Sequence, residues 1–310
     1  MITGFGLLAV SAVMLIAGAE LFTENAGAAA RGLGITVFAA AFLLAGAEPE
    51  EMITAVIASG RHRPGLAAGD AIGANLTMLT LVLGLAALAR PLPFGGRVRG
   101  YAVWSALAGG LAALAAAGGT IGRWQGGLLV AAYLAGVALL WWRERAPPAI
   151  GEVAEAGEDG EHGERPAALG LALAVAGVAL MAAGGWLAVG GAERVVTAFH
   201  LTDTAVGLTL LALATTAELF ALAWAAMRRG ASEIAVAGVV GSVAYNATAT
   251  LGVAALVRPL ADGGILAPAI AAAALPLALL GVTARGRLSR PAGAALVIGY
   301  AAWVTAVLAR

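Results

Sequence analysis

The sequence predicts an all-α, polytopic membrane protein of about ten transmembrane helices arranged as two inverted five-helix repeats. Of its 310 residues, 61% are hydrophobic and 44 are Gly, and the mean hydropathy is +0.92, a composition that fits no soluble class. Apolar stretches of spanning length recur along the whole chain. A shift of 168 residues, the separation of positions 50 and 218, also places Leu201 on Leu33, Thr204 on Thr36, Glu218 on Glu50, Gly241 on Gly73 and Gly252 on Gly84. Self-similarity at a fixed long period is the signature of an internally duplicated fold.

With about 20 apolar residues needed per span, the expected helices cover roughly 3–23, 33–60, 66–89, 99–118, 125–143, 168–191, 201–227, 232–257, 264–284 and 291–308. The first opens MITGFGLLAV, without a positive n-region or a cleavage signal ahead of a soluble domain, and reads as a retained helix; Glu20 and Glu24 at its end suit a solvated interface. In the second, Pro49 precedes Glu50 and Gly46 lies a turn back, so the helix is expected to break there and restart with Pro in its first position. The third, GDAIGANLTMLTLVLG, carries Asp70 near its start, then Asn75 and Thr77. Trp141 and Trp142 just before Arg143 suit an interfacial belt at the end of the fifth. The seventh contains Thr215, Thr216 and Glu218, and the eighth Ser242 and Asn246, four apart and so on one face. Gly73 and Gly241 allow the third and eighth helices a close approach to the broken ones.

Between the fifth and sixth helices lies RERAPPAIGEVAEAGEDGEHGERPAA, acidic, Pro/Gly-rich and unable to bury a core. The chain therefore divides into a first repeat (1–143), a linker (144–167) and a second repeat (168–310). Five helices per half is an odd number, so the second half inserts upside down relative to the first. Every basic residue other than His is Arg, and with the N-terminus outside, twelve face inward (Arg31, Arg90, Arg97, Arg99, Arg143, Arg145, Arg165, Arg228, Arg229, Arg285, Arg287, Arg290) and six outward. That count predicts both chain ends outside and the linker in the cytoplasm, and the expected location is the cell's inner (plasma) membrane as a multi-pass protein.

Zero net charge gives no basic surface for nucleic acid, and the absence of Cys excludes disulfides and thiolate metal sites. A carboxylate at membrane depth is costly and so is a functional candidate by default. Glu50 and Glu218, with carbonyls freed at a helix break and the hydroxyls of Thr215 and Thr216, form an all-oxygen set suited to a hard cation such as calcium. Asp70, Asn75, Ser242 and Asn246 are the further candidate ligands; each also has an ordinary role as a first-turn acid or as hydrogen-bond glue between helices. Glu48 and Glu51 point away from Glu50 on a regular helix, and only the break brings them nearer.

These segments resemble the two alpha-repeats of the cation/calcium exchanger superfamily. LIAGAELFTENAGAAARGLGITVFAAAFLLAGAEPEEMITA followed by GDAIGANLTMLTLVLG is similar to the first, and GGWLAVGGAERVVTAFHLTDTAVGLTLLALATTAEL followed by GVVGSVAYNATATLG to the second. The resemblance covers about 1–90 and 168–258. It implies ten helices, calcium held between Glu50 and Glu218, and sodium or protons as counter-ion, with no cofactor. The usual G-T-S-x-P-E stretch stands here as Ala45-Gly46-Ala47-Glu48-Pro49-Glu50, without its two hydroxyls. The expectation is a secondary antiporter that is not an enzyme, its partners being inorganic cations and the lipid bilayer. An intramembrane hydrolase is the rival class, but it lacks Cys, a midspan His and a second deep Asp; a non-transporting scaffold is the other.

Overall fold

A computed structural model describes residues 2–33, 48–144, 166–229, 232–261 and 264–309. The Gly46 position and the acidic linker fall outside the described residues. Helix α1 is Ile2–Gly32. Glu20 and Glu24 are exposed, yet they lie within α1 and not at its end, because the following ENAGAAARG is rich in helix-forming Ala and extends it. The short α2, Pro49–Gly60, begins on Pro49, as the sequence leads one to expect.

Helix α3 (Pro64–Ala89) is followed by α4 (Gly96–Ala116) and α5 (Arg123–Glu144). In the second half α6 is Ala167–Phe199, α7 Asp203–Thr215, α8 Ala217–Arg229 and α9 232–257. Helices α10 (Leu266–Val282) and α11 (Arg290–Leu308) complete the chain. Among the described residues seven helices are long and apolar enough to cross a membrane, or eight if the pair α7 and α8, bent by 41°, counts as one span. α10 is apolar but shorter.

The 168-residue shift is visible in the backbone of α3 and α9. α3 consists of Pro64–Thr77, a π turn at Met78–Val82 and Leu83–Ala89; α9 consists of Ser232–Tyr245, a π turn at Asn246–Thr250 and Leu251–Val257, each boundary shifted by 168. A third π turn, Gly207–Leu211, interrupts α7. All three carry Thr at their third position, and the hydroxyls of Thr80, Thr209 and Thr248 donate to the carbonyls of Leu76, Ala205 and Ala244. A side chain that occupies the carbonyl four residues back competes with the helical N–H and favours the wider turn.

The two halves interlock. Strand β1 (Leu92–Pro93) pairs antiparallel with β4 (Arg287–Leu288), and β2 (Thr120–Ile121) with β3 (Leu260–Ala261), so each pair joins one half to the other. α1 and α6 pack antiparallel: Gly4 meets Gly191 and Gly18 meets Gly177. A Cβ on Gly18 would sit 2.9 Å from the Gly177 carbonyl oxygen, so only Gly permits this approach. Two large apolar clusters fill the interior and place α3 and α9 at its centre, almost wholly buried.

The turn between α2 and α3 is tied down by charge. Arg61 donates to Glu193 at 2.7 Å and lies 4.5 Å from the centre of the Trp186 ring, while Arg63 reaches Glu193 at 3.3 Å and Asp203 at 3.4 Å. His62 between them has a left-handed backbone, φ 63°, and its Nε2 is 2.6 Å from Arg258. α2 is thereby held at its far end against α6, α7 and α9, and its N-terminus is left to face the interior.

Candidate cation site

The site forms where two helices restart inside the protein. α2 opens with Pro49 and puts Glu50 in its second position; α8 opens with Ala217 and puts Glu218 in its second position. Thr216, with φ −80° and ψ 5°, makes the second break without a proline. A carboxylate in the first turn of a helix faces the positive end of the helix dipole, which offsets part of the cost of its burial.

One carboxylate oxygen from each of Glu48, Glu50 and Glu218 lies within 4.8 Å of the other two, and all three residues are buried. Glu48 is the finding that helical periodicity alone hides. It is the N-cap of α2, with φ −112° and ψ 81°, and so stands outside the helix whose 100° step would have turned it away from Glu50. The signal in the sequence is Pro49: proline at the first helical position makes the preceding residue the cap. Glu51 is equally buried but does not join the trio.

The other candidates are buried as well. Asp70 is fully buried on α3, outside the trio, and accepts a hydrogen bond at 3.1 Å from Thr215, so α3 of one half grips the break of the other. Thr215 also faces the carbonyls of Leu211 and Ala212 at 3.3 and 3.1 Å, and Thr216 donates to Ala212 at 2.7 Å. These hydroxyls donate inward and keep lone pairs available to a cation. The Thr54 hydroxyl donates to the Glu50 carbonyl at 2.7 Å.

Asn75 donates through Nδ2 to the Val243 carbonyl at 3.2 Å, 168 positions away. The bond therefore links position 75 to the position that the 168-residue shift places on it, and joins the first half of the chain to the second. Its Oδ1 has no hydrogen-bond partner among the described residues. Asn246 accepts from Thr250 at 3.0 Å, and Ser242 donates to the Gly238 carbonyl at 3.1 Å. A threonine hydroxyl accepts as readily as it donates, so a flip of the Asn246 amide keeps that bond and presents its oxygen instead. Gly73 lets α3 approach α7 closely: a Cβ there would lie 2.5 Å from the Leu208 carbonyl oxygen in the π turn of α7.

The candidate donors are oxygens throughout: three clustered carboxylates and the amide and hydroxyl groups of the other buried candidates. Such a set suits a hard divalent ion. Among the described residues no Arg or His is buried to neutralise these acids.

The sodium/calcium exchanger protein family matches the chain over residues 3–142 and 169–309. The inner membrane protein YrbG of Escherichia coli (strain K12) is 29% identical over 269 residues, covering 84% of this chain and 79% of that protein. The CaxA antiporter candidate of Alkalimonas amylolytica is 26% identical over 265 residues, covering 81% of this chain and 79% of that one. A solved structure of the sodium-calcium exchanger NCX_Mj, soaked with sodium and strontium, superposes with a TM-score of 0.64 at 22% identity, over 98% of both chains. At that identity the likeness establishes a shared fold.

Proposed function

The chain belongs to the sodium/calcium exchanger protein family, and on that premise we propose that this multi-pass cation antiporter exchanges calcium at the Glu48, Glu50 and Glu218 trio. Ten spans in two inverted repeats, 1–143 and 168–310, enclose the trio near the midplane, and the segment 144–167 joins them in the cytoplasm. The observation that carries the reading is the convergence of the two broken helices, one from each half, on a single buried cluster of carboxylate oxygens.

Asp70, Asn75, Thr215, Thr216, Ser242 and Asn246 complete the oxygen shell or hold its members. Alternating access exposes the shell to each side of the membrane in turn. An empty, fully ionised trio is strongly self-repelling, so return without a cation is disfavoured and exchange is favoured over leak.

Protons are the leading counter-ion and sodium the second. Glu48, Glu50, Glu51, Asp70 and Glu218 are all buried, more carboxylates than one divalent ion offsets. Protons are the smallest means of neutralising the remainder. In proteoliposomes a pH gradient should drive calcium uptake with no sodium on either side. Uptake that follows a sodium gradient and ignores pH would reassign the counter-ion, and no uptake under either gradient would end the calcium assignment.

A further inference from the structure

The two interlocking strand pairs are built alike but charged differently. The β2–β3 junction carries Arg123 and Arg258, and both are engaged: Arg123 donates to the carbonyls of Leu256 and Val257, and Arg258 contacts His62. The β1–β4 junction draws together two distant segments, RPLPFGGRVR (90–99) and RGRLSR (285–290), which hold six arginines and no acid. Glu233 packs against Gly95 beside them. Arg99 donates to the Thr283 carbonyl and Arg290 to that of Ala89. Arg90, Arg285 and Arg287 are exposed and form no ion pair among the described residues.

This junction lies where α3 and α10 end and α4 and α11 begin; α3, α4 and α11 are long and apolar enough to cross a membrane, so their ends are expected at headgroup level. An apolar cleft of about 410 Å³ opens between α10 and α11 next to it, floored by Leu76 and Thr80 of α3 and closed by Tyr300 and Trp303. Its nearest lining residues, Ala278 and Ala295, are about 6 Å from the end of α10 and about 8 Å from the start of α11 at 1.5 Å per residue. Basic clusters at the ends of transmembrane helices recognise anionic headgroups, each Arg contributing about 1 kcal/mol, and methylene burial contributes to anchoring an acyl chain.

We propose that the β1–β4 junction binds an anionic phospholipid, its phosphate on Arg90, Arg285 and Arg287 and one acyl chain in the α10–α11 cleft. The chain would rest against Tyr300, whose hydroxyl is 3.4 Å from that of Thr77, two residues beyond Asn75. Occupancy therefore bears on α3 next to the cation shell. The site is independent of which ions are exchanged.

The test is native mass spectrometry of the purified full chain released from micelles containing equimolar phosphatidylglycerol and phosphatidylcholine. The wild-type protein should retain phosphatidylglycerol over phosphatidylcholine by about fivefold or more, equivalent to about 1 kcal/mol. R90Q/R285Q/R287Q should bring that ratio close to one, and R90K/R285K/R287K, which keeps the charge, should preserve most of it. Gly299 lines the cleft with open space around its Cβ direction, so G299L fills the cleft with every arginine intact and should lower phosphatidylglycerol retention severalfold. Equal retention of both lipids by the wild type, an unchanged preference in the glutamine variant, or undiminished retention in G299L would each overturn the proposal. A cluster that serves only to orient the chain in the membrane gives the first of these results.

Discussion

Replacing Glu48 by Gln separates a three-carboxylate site from the two-carboxylate site that the duplication alone suggests. Because the three oxygens lie within 4.8 Å of one another, some point between them lies within about 2.8 Å of all three. A calcium–oxygen distance of about 2.3–2.6 Å then needs a closure of only a few tenths of an ångström. At an effective dielectric constant of about 20, two ionised oxygens at 4.8 Å repel by about 3.5 kcal/mol, so E48Q relieves about 7 kcal/mol of repulsion in the empty site. It forfeits about 13 kcal/mol of attraction to a divalent ion about 2.5 Å away. That repulsion acts in the loaded site as well and so cancels from the affinity; the figure of about 13 kcal/mol is a ceiling on the loss, because the Gln amide oxygen remains a ligand. Calcium affinity should therefore fall by at least about tenfold.

The assay is the concentration dependence of calcium uptake into proteoliposomes, with thermal unfolding in detergent as the folding control. E50Q and E218Q should abolish uptake, since each removes one of the two matched carboxylates that open the broken helices, and all three variants should fold because a neutral side chain costs less in the membrane. E51Q, buried in the same turn but outside the trio, should leave the affinity within about threefold of wild type. The reasoning fails if E48Q binds calcium with near-normal affinity, or if E51Q loses as much as E48Q.

G73A drives a methyl group against the Leu208 backbone oxygen, 2.5 Å away with no flexible side chain to yield; it should destabilise the protein by about 1–3 kcal/mol, read as a lower melting temperature, and an unchanged melt would show that α3 and α7 can part without cost. For topology, a cysteine introduced at Gly157 in this cysteine-free chain should be protected from an impermeant maleimide in intact cells and react after lysis; labelling from outside would place the linker on the other side of the membrane.

The sequence by itself determined the class of molecule and the two acids to watch. Apolar runs of spanning length need no partner to be recognised, because a helix in lipid satisfies its own backbone. The 168-residue shift likewise survives in one dimension, and it reappears in the boundaries of α3 and α9 and their π turns. Glu50 and Glu218 stood out because a charge among apolar residues is expensive wherever the chain goes.

Tertiary structure decided the rest. Helical periodicity turns Glu48 away from Glu50, and only its place as the N-cap of α2 brings it back into the trio. The second break, at Thr216, has no proline to announce it. Asp70, by sequence either a candidate ligand or a first-turn acid, lies beyond the first turn of its helix and accepts from Thr215, 145 residues along the chain. Asn75 meets Val243, and segments 90–99 and 285–290 form one basic surface, because the two halves interlock. Local periodicity and composition report what each segment does alone in lipid, whereas the convergence of acids, amides and arginines depends on where two similar halves pass each other, and that is a property of their packing.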